Sequence, residues 1–137
     1  MLKLDKLYSK ETGINPLSLK SQYLSYFCDL IFKEMADLSQ EEWVEQLNAD
    51  ANAFILDVRT RTEVSEGYIP NASNIDIYLG QQFLAELEKL DKSKSYYVYC
   101  RSGNRSRQAC AIMNNVGFEN AYNLEGGIIA WQGDVAQ

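Results

Sequence analysis

The chain predicts an α/β fold built on an open parallel sheet. Three observations carry that expectation. Short apolar runs of strand length alternate with segments whose apolar residues recur at helical spacing. The run Ala53-Phe54-Ile55-Leu56 is continuously apolar, as expected of a strand covered on both faces. Polar residues able to do chemistry follow two such runs directly: Asp57 after the first, Cys100 after Tyr96-Tyr97-Val98-Tyr99. Open α/β sheets carry their sites at these carboxyl ends.

Taken in order, residues 1–34 read as an N-terminal extension, helical in part, and residues 35–137 as the domain. Polar residues dominate the extension up to Pro16, after which Leu24, Phe27, Cys28 and Ile31 recur at helical spacing. That stripe suits a helix packed on the domain, or a docking helix through which a homodimer forms. Ser39-Gln40-Glu41-Glu42 is a capping box, and Trp43, Val44 and Leu47 give the helix it opens an apolar face. The strand at 53–56 ends in Asp57-Val58-Arg59. Gly67-Tyr68-Ile69-Pro70-Asn71-Ala72 has turn chemistry, and Ser73 to Ile77 suits a short strand. Phe83, Leu84, Leu87 and Leu90 mark an amphipathic helix. The strand at 96–99 leads into the cysteine loop. Ala109, Ile112, Met113 and Val116 line a further helix that Gly117 stops. Ala121 to Leu124 is a last short strand, and Ile128 to Trp131 suggests a closing helix.

Composition narrows the function. With 137 residues there is room for one domain with a core. A net charge of −6 argues against a nucleic-acid or anionic-membrane partner, both of which need a basic footprint. The most apolar N-terminal stretch, Tyr23 to Phe32, contains Asp29, is too short to cross a bilayer and lacks the layout of a signal peptide, so a cytoplasmic protein is expected. Three cysteines do not make a disulfide framework, and their spacing offers no zinc site. The chain has no histidine, which excludes Ser-His and Cys-His catalysis. Any cysteine chemistry has to be driven by dipoles and cations.

Cys100-Arg101-Ser102-Gly103-Asn104-Arg105-Ser106 supplies both. The cysteine stands where a strand hands over to a helix, facing loop amides, a helix N-terminus and two arginines. A stable, solvent-exposed thiolate at the mouth of an anion cradle is expected there. Cys110, within the helix, and Cys28 read as packing residues.

The region from about Leu38 to Gly133 resembles a single rhodanese domain. Phe54 to Arg59 is similar to that family's strand ending in Asp-x-Arg. Glu63 followed by Gly67-Tyr68-Ile69-Pro70-Asn71-Ala72 is similar to its Glu…Gly-His-Ile-Pro-Gly-Ala turn. Cys100 to Ser106 is similar to its active-site loop, and Leu124-Glu125-Gly126-Gly127-Ile128 through Trp131 to its closing Gly-Gly…Trp segment. Two positions depart: Tyr68 stands at the usual histidine and Asn71 at the usual glycine.

The resemblance implies a five-stranded parallel sheet with helices on both faces. It also implies a sulfurtransferase that needs no metal or organic cofactor. Cys100 would take sulfane sulfur from a small anionic donor such as thiosulfate, and a thiol, a protein acceptor or cyanide would remove it. In that cycle the amides of Arg101, Ser102, Gly103, Asn104 and Arg105 stabilise thiolate and persulfide. Gly103 permits the backbone angle. Arg101 and Arg105 neutralise the donor and the departing sulfite. Ser102 and Ser106 are hydroxyl donors, and Asp57 and Arg59 form a supporting salt bridge or cap. Related cysteine phosphatases place arginine six residues after cysteine, whereas here it comes at five. That shorter loop disfavours a tetrahedral phosphoryl group. The alternative from another class is a non-catalytic, regulatory interaction module whose contact is the N-terminal stripe.

Overall fold

The structure, a computed structural model, describes residues 37–137. The extension at 1–34, with the stripe of Leu24, Phe27, Cys28 and Ile31 and the homodimer expected from it, lies outside the described residues. So do Tyr23, Asp29 and Leu30.

Five parallel strands form one sheet in the order β1-β5-β4-β2-β3. They are β1 (Asp37–Leu38), β2 (Ala53–Asp57), β3 (Ser73–Asn74), β4 (Ser95–Tyr99) and β5 (Asn120–Leu124). The helices are α1 (Gln40–Ala49), α2 (Arg61–Ser65), α3 (Gln81–Glu88) and α4 (Asn104–Asn115). Single 3-10 turns lie at Ile77–Leu79 and Ile128–Ala130.

β4 is the middle strand, and all five of its residues are buried. Its alternation separates two cores. Tyr96 and Val98 join Leu56, Phe83, Leu87, Ala109 and Met113 on the face covered by α3 and α4. Tyr97 and Tyr99 join Trp43 of α1, Ile69 and Leu124 on the other. Trp43 is fully buried and meets the Tyr97 and Trp131 rings edge-on at 5.7 Å each. Helices therefore cover both faces, as the family pattern implies.

The capping box at Ser39 forms as read: its hydroxyl accepts from the Glu42 amide, and the Glu42 side chain accepts from the Ser39 amide. Thr60 and Glu63 build a second box that opens α2, a helix the apolar pattern did not reveal. Asn71 adopts φ +70°, a left-handed conformation that asparagine tolerates better than most side chains. That accounts for its standing where the family has glycine. Tyr68 is tied by its backbone to Ala136 in an antiparallel bridge.

Three expectations need correction. β2 is not covered along its length, because Phe54 at its start is 43% exposed. The strand expected at 73–77 is only Ser73–Asn74, because the Asp76 side chain accepts from the Tyr78 amide and turns the chain into a 3-10 turn. The closing helix is likewise one 3-10 turn, Ile128–Ala130.

Candidate active site

Register brings the site together at the carboxyl end of the sheet. In the β2–β4 pairing Leu56 lies beside Val98 and Asp57 beside Tyr99; in β4–β5 Val98 lies beside Asn123; in β1–β5 Asp37 lies beside Asn123. Cys100 follows two residues after Val98, so its side chain continues onto the face that α4 covers.

The loop wraps the sulfur. Gly103, at φ +103°, lies in the left-handed region, and a Cβ there would come within 3.3 Å of the Gly126 nitrogen. That turn aims the Gly103 amide at Cys100 Sγ, at 3.1 Å. The Ser106 hydroxyl lies 3.3 Å from the same sulfur. Burial alone would push the thiol up. The Ser106 hydroxyl, then the amides of Ser106, Gly103 and Ser102, outweigh it and bring Cys100 below its ordinary range. Cys110, deeper on α4, goes the other way: burial raises it strongly, and the charges of Asp37 and Cys100 add to that.

The loop's carbonyls are turned outward by the segment after β5. The Ile128 amide donates to the Cys100 carbonyl at 2.9 Å and the Ile129 amide to the Arg101 carbonyl at 3.0 Å. Gly127 makes this approach possible: a Cβ there would overlap the Arg101 carbonyl and come within 2.7 Å of the Cys100 oxygen. The closing Gly-Gly segment is thus the outer wall of the sulfur cradle.

One expectation changes here. Cys100 is only 1% exposed, so the sulfur sits at the floor of the cradle and not at an open mouth. β4 is the central strand, and a residue continuing it inherits its burial. Ser102 and Asn104 are exposed on the loop.

The two loop arginines differ. Arg105 is clamped by Glu63, Nη1 to Oε1 at 2.7 Å and Nη2 to Oε2 at 2.8 Å, and lies 5.5 Å from the Tyr78 ring centre. Its charge already has a partner. Arg105 and then its Coulomb field hold the Glu63 carboxyl down at about 2, against the opposing effect of burial. Arg101 is exposed and makes no ion pair among the described residues. Its side chain borders a cleft of about 480 Å³ shared with Glu63, Glu66, Ile128, Ile129 and Val135.

Asp57 and Arg59 form a buried support, 1% and 5% exposed. Asp57 accepts from the Arg59 amide at 2.9 Å, from Arg59 Nη2 at 2.7 Å and from the Tyr99 hydroxyl at 2.7 Å. Arg59 Nη2 also donates to the Gly67 carbonyl at 2.7 Å. The pair ties the ends of β2 and β4 to the 61–69 segment and does not touch the sulfur.

Two residues at the site escaped the sequence reading. Asn123 and Asp37 lie behind Ser106: Asn123 Nδ2 donates to Asp37 Oδ1 at 2.7 Å, and Arg107 pairs with Asp37 at 2.9 Å. Neither stands out in the sequence, because only strand register sets them behind the loop.

Similarity to known proteins converges on one family. The family model for the rhodanese-like domain matches residues 40–134. YtwF of Bacillus subtilis strain 168, provisionally named a sulfurtransferase, is 39% identical over 101 residues, covering 74% of this chain and 94% of that protein. A protein of Allochromatium vinosum named sulfurtransferase is 34% identical over 95 residues, covering 69% and 86%. The crystal structure of a rhodanese-like domain protein from Staphylococcus aureus superposes with a TM-score of 0.62 at 34% identity, over 73% of this chain and 93% of that one.

Proposed function

Because the chain belongs to the rhodanese-like domain family, we propose that its sulfurtransferase chemistry runs through a persulfide on Cys100. The observation that supports this reading is the geometry at Sγ, where an amide and a hydroxyl converge on a thiol held below its ordinary range.

The cycle has two displacements. Cys100 thiolate attacks the outer sulfur of an anionic donor such as thiosulfate; the donor's S–S bond breaks and sulfite leaves with its electron pair. An acceptor thiolate, or cyanide, then attacks the outer sulfur of the persulfide, and Cys100 departs as thiolate. Atoms and charge balance with donor and acceptor alone. The loop amides stabilise Cys100 both as nucleophile and as leaving group. Arg101 meets the donor's sulfonate, since Glu63 occupies Arg105. With the sulfur at the cradle floor, a donor reaches it with its narrow terminal sulfur while the sulfonate stays outside.

Treating the protein with thiosulfate and measuring intact and peptide masses tests this reading. A gain of one sulfur atom on the Cys100 peptide is expected, removed by added thiol and absent from Cys100→Ser. No adduct with any sulfane donor would overturn it.

A further inference from the structure

Behind the cradle, one proton has two claimants. Asn123 is 1% exposed, and its amide orientation is set by its neighbours. Nδ2 faces Asp37 Oδ1 at 2.7 Å and the Gly103 carbonyl at 3.2 Å. The carbonyl can only accept, and Asp37 is paired with Arg107 as a carboxylate, so the NH2 group belongs on that side. Oδ1 therefore points at the Ser106 hydroxyl, which it meets in the shortest contact of the cluster.

Ser106 has one hydrogen and three acceptors within reach: Asn123 Oδ1, the Gly103 carbonyl at 3.2 Å and Cys100 Sγ at 3.3 Å. The Gly103 carbonyl is already filled by the Arg107 amide at 3.1 Å and by Asn123 Nδ2. The choice is left between Asn123 and the sulfur. We propose that Asn123, held by Asp37, is a positioning residue that competes with Cys100 for the Ser106 proton and so sets how readily the thiol ionises.

With Cys100 protonated, its S–H points to Ser106 Oγ and the Ser106 O–H to Asn123. When the thiol ionises, its proton passes to water and the Ser106 O–H swings onto the sulfur. Asn123 Oδ1 is then a buried acceptor without a donor, a penalty borne by the charged form alone. The other charged or titratable groups around the sulfur are Arg101 and Arg105 on the loop, Glu63 on Arg105, Cys110 on α4 and Asp37 behind Asn123. None of them takes or gives the Ser106 proton.

The inference rests on Cys100 being the reactive thiol of the proposed function, and its test reads that thiol without any sulfur donor. In the full chain, the iodoacetamide alkylation rate of Cys100 is followed against pH by peptide mass, which separates it from Cys28 and Cys110. Asn123→Leu should lower the midpoint by about one pH unit. Ser106→Ala should raise it, and adding Asn123→Leu to Ser106→Ala should move it no further. An unmoved or raised midpoint in Asn123→Leu, or the same shift in both backgrounds, overturns the inference. Should Asn123→Leu fail to fold, Asn123→Ala removes the same competing acceptor with a smaller side chain. Its downward shift must then vanish without the Ser106 hydroxyl, whereas a shift that survives Ser106→Ala overturns the inference. A Cys100 that takes no label at any pH removes the reactive-thiol reading as well; a labelled Cys100 with unmoved midpoints removes only the role of Asn123.

Discussion

Glu63 holds the guanidinium of Arg105 in an ion pair. The pair is bidentate and largely buried, with side chains 17% and 27% exposed. Glu63→Gln should therefore do two opposite things. It should lower the donor concentration needed for half-maximal rate severalfold, because Arg105 then joins Arg101 in meeting the anion. It should also lower stability, by about 1 kcal/mol at neutral pH. The pH dependence follows from a carboxyl whose value falls from 4.5 to about 2 on folding. A depressed carboxyl stabilises the fold fully above its unfolded value and loses that contribution as pH falls through its folded one. Urea unfolding of wild type and variant should differ at pH 7 and converge between about 4.5 and 2. A constant difference down to pH 2 would show that packing, not the ion pair, carries the effect.

At the level of elements, the Asp57–Arg59 pair shows what a strand end does for a loop it never touches. Arg59 pairs with a carboxylate 1% exposed and reaches across to the Gly67 carbonyl, so it ties the end of β2 to the turn before β3. Arg59→Met takes the guanidinium partner from the buried Asp57 and leaves it only the Tyr99 hydroxyl and the Arg59 amide, and should cost about 3–5 kcal/mol in chemical denaturation. Asp57→Leu combined with Arg59→Met should recover much of that loss, and equal destabilisation of single and double variants would contradict the assignment. Helical spacing of apolar residues found α1, α3 and α4, and short runs of strand length found β2, β4 and β5. These patterns missed β1 and α2, a two-residue strand and a five-residue helix too short to show a period. They overextended β3 because side-chain capping by Asp76, not hydrophobicity, ends that strand. Within the site, Cys100, Gly103 and Ser106 were readable as a contiguous motif. Asn123 and Asp37 were not, since only parallel register, across strands distant in sequence, sets them behind the loop.

At the scale of the whole molecule, every group assigned a role in sulfur handling comes from residues 37–137, and the family match runs over 40–134. Both faces of the sheet are closed by elements of that region: α3 and α4 on one side, α1 and the 128–130 turn on the other. A chain starting at Met35 therefore retains both cores and the whole cradle, and we propose that residues 35–137 are the complete sulfurtransferase domain. That shortened chain should unfold cooperatively and should take up sulfur from thiosulfate on Cys100 at the rate of the full chain. Size-exclusion chromatography of the two chains tests the homodimer expected of the apolar stripe of Leu24, Phe27, Cys28 and Ile31. A dimer that becomes a monomer on truncation makes the stripe a self-association surface, and an unchanged elution state removes that role. Loss of sulfur uptake in a folded, shortened chain would instead place part of the site in the first 34 residues and overturn the domain boundary.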